Sequence, residues 1–208
     1  MDSESHPKVI LISGPNGAGK STSAPTLLRG AFDVPHFVNA DAIARGLSEL
    51  APESVALEAG RLMLLRLDAL ASARESFAFE RTLASRTFAP RMRSLLRAGY
   101  EFHLIYLWVI SPELSILRIE DRVRQGGHHV PDETVRQRYA RGLRNFFGLY
   151  RPIATSWHLY DATRPTGPEP VALGTGSQQT IVRPEQWRAI CLEVGHDPDR
   201  SATTPLRP

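Results

Sequence analysis

The chain has 208 residues, 42% hydrophobic and 23% charged, with a net charge of +3. That length suits one globular domain with a full-sized core. The lack of an apolar run of about 18 residues excludes a membrane-spanning helix, and a single cysteine, Cys191, excludes a disulfide framework or a cysteine-built zinc site within one chain. The polar start MDSESHPK has no signal-peptide core, so a cytoplasmic chain is expected. The mild basicity is weak grounds for a nucleic-acid partner, and none is expected. Every basic residue except Lys8 and Lys20 is arginine. GC-rich coding accounts for most of that bias, yet arginine also suits bidentate contact with phosphate, so placement matters more than number.

In chain order, KVILISG (8–14) is a β-branched apolar run ending in glycine, a buried first strand. A helix starts at Lys20 and runs toward Arg29, with Pro25 expected to kink it because proline supplies no N–H to the ladder. HFVNAD (36–41) is a short second strand. Residues 52–74 read as a helix with Leu57, Leu62, Leu65 and Leu70 on a broad apolar face. SFAFERT (76–82) alternates like a third strand, and 90–98 is a helix closed by Gly99. FHLIYLWV (102–109) is the most buried strand. The next helix opens with Ser111 as N-cap and Pro112 at its first position. QGGHHVP is a loop, 131–147 another helix, and WHLYDA (157–162) a fifth strand. TRPTGPEP is a linker, VALGTGSQQTIV a small hairpin turning at 174–177, and the polar, proline-rich segment from Gly195 a disordered tail. Strands alternating with helices predict a parallel sheet covered on both faces.

The string GPNGAGKST (14–22) fills G-x-x-x-x-G-K-[ST] between a strand and a helix, the context that distinguishes a phosphate loop from a chance glycine-rich turn. Its glycines let backbone N–H groups turn inward around phosphate, Lys20 reaches the β- and γ-phosphates, and Ser21 ligates Mg²⁺. Gly14, Pro15, Asn16, Gly17, Ala18, Gly19, Lys20, Ser21 and Thr22 are therefore the expected ATP-binding residues, with Ser21 the metal ligand. The signature LSGGQ segment and the strand-end acid of ABC-type ATPases are absent.

Strand carboxyl ends in a parallel sheet share one edge with the phosphate loop. Asp41, at the end of the second strand, is placed there to take a proton from an acceptor hydroxyl or to position Mg²⁺ through water; the plainer reading is the N-cap of AIARGL, and capping and catalysis are compatible. Glu80 ends the third strand and is placed to hydrogen-bond a substrate hydroxyl; Thr82 assists it or caps the next helix. Arg118, Arg122, Arg124, Arg136, Arg138, Arg141 and Arg144 flank QGGHHVP, an arrangement suited to a lid that neutralises a transferring phosphoryl group. The alternative is solvated helix surface paired with Glu120, Asp121, Asp132 and Glu133. The adjacent His128 and His129 read as loop residues rather than metal ligands.

These stretches resemble the zeta-toxin-like P-loop kinases in a short, single-domain form. GPNGAGKST, FVNADAIA, FAFERTLAS, RVRQGGHHVP with RQRYAR, and YDAT carry the resemblance. Zeta toxins phosphorylate a hydroxyl of a nucleotide sugar, typically UDP-N-acetylglucosamine, and are held inactive by a small antitoxin protein. The resemblance implies phosphate binding by Lys20, Asp41 as general base, and Asn39, Glu80 and Thr82 around the acceptor. It also implies that Arg122 acts from the lid with Arg138 or Arg141. Two departures stand out: Arg81 replaces a small polar residue in ERT, and YDAT lacks an asparagine after the aspartate.

The expected fold is α/β, a P-loop NTPase three-layer sandwich. Its mostly parallel sheet has five to six strands, helices on both faces and an arginine-rich lid at about 118–144. One kinase domain spans 1–194, with the small hairpin at about 171–182 and the tail at 195–208. The expected activity is ATP- and Mg²⁺-dependent phosphorylation of a small nucleotide-linked acceptor. Two alternatives remain open: an ATPase serving a protein or nucleic-acid partner, and a kinase of another small molecule such as an antibiotic.

Overall fold

The computed structural model describes residues 6–198 apart from 33, 128 and 177, with backbone alone at 30 and 31. Five strands are parallel: β1 (Lys8–Ser13), β2 (His36–Val38), β3 (Phe77–Arg81), β4 (Glu101–Trp108) and β5 (Ser156–Asp161). β1 is central because both its faces are apolar. Val9 and Leu11 enter one core, Ile10 and Ile12 the other, the pattern of a strand with no solvent face. The sheet order is β2-β3-β1-β4-β5-β6-β7. The chain thus leaves β1 toward β2 and β3 on one side and returns through β4 on the other. Beyond the carboxyl end of such a strand lies the crevice where open parallel sheets bind ligands.

The C-terminal hairpin is not a separate appendage. Its strands β6 (Glu169–Thr175) and β7 (Gln178–Ile181) add to β5 in antiparallel fashion, which makes the sheet seven-stranded rather than five- or six-stranded. The pairing uses backbone groups that β5 would otherwise present at an open edge.

One face is covered by α3 (Ala56–Ser72), α4 (Phe88–Arg97) and α7 (Pro184–Glu193), the other by α1 (Lys20–Ala31), which carries Pro25 within it. α2 (Ala40–Leu47) follows β2, and a 3₁₀ turn over Pro52–Val55 leads into α3. α3 does not bury the leucine face expected of it. Ala59, Met63, Leu67 and Leu70 face the core, whereas Leu57 is 83% and Leu65 64% exposed. Leucines lie all round this helix, so periodicity does not choose the stripe; packing against the sheet does. α7 has no counterpart among the predicted elements, although Pro184 at its start and Trp187, Ile190, Cys191 and Val194 give the i, i+3, i+4, i+7 pattern.

α5 (Pro112–Arg124) opens with the Ser111 side chain accepting from the Leu114 N–H at 3.2 Å, the expected cap. It packs on α6 (Asp132–Asn145) through Ile116, Ile119, Val130 and Val135. α6 sends Tyr139 into one core and Leu143 into the other, so it lies across the carboxyl edge of the sheet. It continues as a π turn over Phe146–Tyr150 that adds four buried side chains. Composition predicts a disordered tail from Gly195. Instead, His196 packs on Phe147 with ring centroids 4.5 Å apart, and Trp187 Nε1 donates to the Pro198 carbonyl at 3.0 Å. Residues 199–208 of that expected tail lie outside the described residues.

Candidate active site

The loop after β1 has glycine where the chain turns against its neighbours. At Gly14 (φ +140°) a Cβ would run into the Leu107 carbonyl, and at Gly17 (φ +77°) it would sit 2.7 Å from the Ser115 carbonyl oxygen. Both backbones approach that closely only without a side chain. Ser13 Oγ donates to the Ile105 carbonyl at 2.7 Å and ties the loop's base to β4. Asn16, Ala18, Gly19 and Thr22 complete the loop and the first turn of α1. Lys20 Nζ donates to the carbonyls of Gly14 (3.1 Å) and Pro15 (2.8 Å), folding the ammonium over the loop.

Lys20 is the electrostatic hub. Burial lowers its pKa, Glu80 and Asp41 raise it, and Arg122 and Arg138 lower it further. Those four side chains come from β3, α2, α5 and α6, and the charge of each acts on one ammonium. Glu80 carries the complementary shift: burial pushes its carboxyl above its usual range, and Lys20 and the Ser21 hydroxyl pull it back.

Glu80 stands closer to the phosphate loop than its expected acceptor role implies. Both of its carboxylate oxygens lie 3.0 Å from Ser21 Oγ, the expected metal ligand. Asn39 Nδ2 donates to the same hydroxyl at 3.3 Å. Asn39 Oδ1 accepts from the N–H groups of Asp41 (2.7 Å) and Ala42 (3.1 Å). Asn39 is therefore the N-cap of α2. Asp41 stands in the first turn with its exposed carboxylate not used as the cap, which removes the capping alternative for that residue.

Thr82 caps no helix either. α4 begins after Thr87, and among the described residues Thr82 Oγ1 accepts from the Ala84 N–H alone, at 3.5 Å. The turn that follows is held by α6. Gly142 meets the Thr82 carbonyl so closely that a Cβ would lie 2.6 Å from its oxygen. Asn145 Nδ2 donates to the Leu83 carbonyl (2.7 Å), and Tyr150 Oη to that of Ser85 (2.9 Å). Buried Leu83 sits in the left-handed region at φ +57°, a strained conformation that these contacts maintain.

The arginines separate into distinct groups. Arg138 Nη1 donates to Asn16 Oδ1 at 3.3 Å, and the loop at Gly127 closes over the Arg122 side chain. Arg141 instead donates to Gln137 Oε1 at 2.8 Å on the exposed face of α6. Arg124 pairs with Asp121 and Arg136 with Glu113, as solvated helix surface. Arg118 has a role that its place in the sequence does not reveal. It donates to the carbonyls of Gly17 (3.3 Å), Ala162 (2.9 Å) and Thr163 (2.7 Å), strapping the phosphate loop to the turn after β5. Asp161 shapes that turn by accepting from the Thr163 N–H at 2.8 Å. His129 is exposed, and His128 lies outside the described residues.

The phosphate loop, the sheet order and the helix pair across the carboxyl edge define a nucleotide-dependent phosphotransferase with the P-loop kinase fold. A sequence model of the zeta toxin family matches residues 1–150, and the chain belongs to that family. An uncharacterized protein of Haemophilus influenzae is 29% identical over 132 residues, covering 64% of this chain and 92% of that protein. Among solved structures, one of the PezAT chromosomal toxin–antitoxin system of Streptococcus pneumoniae superposes with a TM-score of 0.59 at 20% identity, over 77% of this chain and 70% of that one. The AvrRxo1-ORF1:AvrRxo1-ORF2 structure with sulphate ions superposes with a TM-score of 0.70 at 17% identity, over 96% and 66%. At such identities the likeness is one of fold. Among the described residues no helix is long and apolar enough to cross a membrane.

Proposed function

We propose that this chain transfers the γ-phosphoryl group of ATP to a hydroxyl of a small nucleotide-linked acceptor, a nucleotide sugar such as UDP-N-acetylglucosamine. The observation that carries the reading is the meeting of the phosphate loop with the strand-end side chains, Glu80 and Asn39 both on the Ser21 hydroxyl and Arg138 on Asn16. Backbone N–H groups of 14–22 cradle the phosphates, and Lys20 leaves its loop carbonyls to contact the β- and γ-oxygens. Ser21 and Glu80, a hydroxyl and a carboxylate 3.0 Å apart, are hard oxygen donors of the kind Mg²⁺ takes and would hold the ion beside the phosphates. The ion supplies charge neutralisation to the phosphates. Asp41 accepts the acceptor's hydroxyl proton as its oxygen bonds to the γ-phosphorus and the bond to the β-bridging oxygen breaks, releasing ADP. Arg122 and Arg138 offset the charge on the transferring group. Asn39 fixes Asp41 by capping its helix, and Thr82 borders the acceptor. Arg141 drops out of this set because its guanidinium is engaged elsewhere.

One kinase domain spanning 1–194 acts in the cytoplasm, where ATP is available. A small antitoxin protein is its proposed partner, supported by family membership and by the toxin–antitoxin system named for one structural neighbour. The test is a mass-spectrometric screen of purified protein with Mg²⁺-ATP and UDP-sugars, nucleosides and aminoglycosides, with Lys20→Ala as the blank. One phosphate added to a UDP-sugar, and absent from the blank, is the expected result. ADP release with no phosphorylated product in the panel overturns the nucleotide-sugar assignment.

A further inference from the structure

β3 ends on Arg81, next to Glu80 and in register with Ser13 at the base of the phosphate loop. Its guanidinium carbon lies 4.9 Å from the centre of the Phe88 ring, which itself packs on Phe79 at 5.5 Å. The guanidinium thus lies on the Phe88 ring, which Phe79 supports in turn, a stacking that suits its planar group. Nε is sealed from solvent and has no hydrogen-bond partner among the described residues. No carboxylate among the described residues comes within ion-pair distance of Arg81, although Asp41 and Glu80 both act on its charge. A half-buried arginine beside Glu80 therefore forms an ion pair with neither carboxylate whose charge acts on it. A buried donor left unpaired is costly, and the cost persists only where something compensates for it. The compensation that the chemistry fits is a bound anion, since the guanidinium fork matches the paired oxygens of phosphate or carboxylate.

We propose that Arg81 is a specificity-determining residue that binds an anionic group, phosphate or carboxylate, on the same acceptor molecule whose hydroxyl Asp41 serves. The inference rests on the kinase reading above and narrows its substrate class to acceptors whose negative charge lies close to the reacting hydroxyl.

The test is calorimetric binding to the full chain with its phosphate loop saturated by Mg²⁺ and a non-hydrolysable ATP analogue. The probes are N-acetylglucosamine 1-phosphate, glucuronate and the uncharged methyl glycoside of N-acetylglucosamine. Wild type is expected to prefer one of the two anions over the neutral sugar, and which one it prefers identifies the group. Arg81→Met keeps the packing on Phe88 and is expected to weaken that anion at least about tenfold, the scale of a charge-assisted hydrogen bond, with the neutral sugar unchanged. Arg81→Lys recovers part of the loss, and melting curves of both variants check folding. Equal or absent binding of anionic and neutral probes by wild type overturns the proposal, as does an equal loss for both in Arg81→Met. Because the readout is binding, it separates the two claims. Anion preference lost in Arg81→Met, with no product in the transfer screen, keeps the anion site and removes the kinase reading. Transfer with the same kcat/KM in wild type and Arg81→Met for anionic acceptors does the reverse.

Discussion

The two walls of the cleft are built by different means. The loop wall, 14–22, is shaped by backbone: glycines at φ values closed to other residues, carbonyls that hold Lys20, and the first turn of α1. The opposite wall, from the ends of β2 and β3, is shaped by side chains. Asn39 links a helix cap to Ser21, Glu80 reaches across to the same hydroxyl, and Arg81 lies over Phe88. A backbone wall presents the same groups whatever the surroundings. A side-chain wall can be retuned one residue at a time. The loop wall is thus suited to the feature all triphosphates share, and the other wall to what distinguishes one acceptor from another. α6 spans both, carrying Arg138 to Asn16 at one point and Gly142 and Asn145 to the turn after β3 further along.

The sharpest test of that division is on α6 itself. Arg138→Ala is expected to lower kcat by about 10³-fold or more, the scale of a transition-state arginine, while Arg141→Ala stays near wild type; equal losses in steady-state assays would erase the distinction between them. Next in size, Asp41→Asn is expected to reduce transfer about 10²–10⁴-fold without changing the Kd for Mg²⁺-ATP, because the acceptor wall leaves the loop wall intact. A mutant that loses nucleotide affinity would show that the walls are not separable.

Smaller effects concern the support behind the β2–β3 wall. Met63→Ala is expected to cost about 2–5 kcal/mol in urea denaturation and Leu65→Ser no more than about 0.5 kcal/mol. The reverse ranking would put the leucine stripe back in the core. The smallest effect is a pH dependence at Glu80. Its folded pKa is raised by burial, so its neutral form favours the fold; that contribution is fully present below the unfolded carboxylate pKa of about 4.3 and is lost as pH rises through the folded value. Glu80→Gln should therefore gain melting temperature relative to wild type as pH is raised from 5 to 8 in the absence of nucleotide. A constant difference across that range would contradict the burial.

Much of this is legible in the order of the amino acids. The phosphate loop reads from letters because its function resides in glycine torsions and one lysine. The alternation of strands and helices reads because β1 and β4 are apolar on both faces. Less legible is anything that depends on which neighbour a side chain meets. Asn39 and Asp41 are both good caps, and only the helix start shows that Asn39 is the one used. The strand-end position of Glu80 points toward the acceptor, yet its carboxylate faces Ser21. Arg118 belongs with the other lid arginines by sequence and is a strap on three carbonyls in space.

The sequence by itself determined the fold class, the phosphate loop and the set of charged residues from which a site is drawn, because periodicity and backbone torsion act over a few neighbouring residues. Tertiary structure decided which of those residues meet. It brought Arg138 to Asn16 of the phosphate loop and turned Arg141 to Gln137 on the exposed face of α6, joined the last hairpin to the sheet, and drew Arg151 out of water against the rings of Trp157 and Trp187. Packing contacts act over a few ångströms and screened charge interactions over about 10 Å, and only the packed chain sets distances on that scale between residues a hundred positions apart.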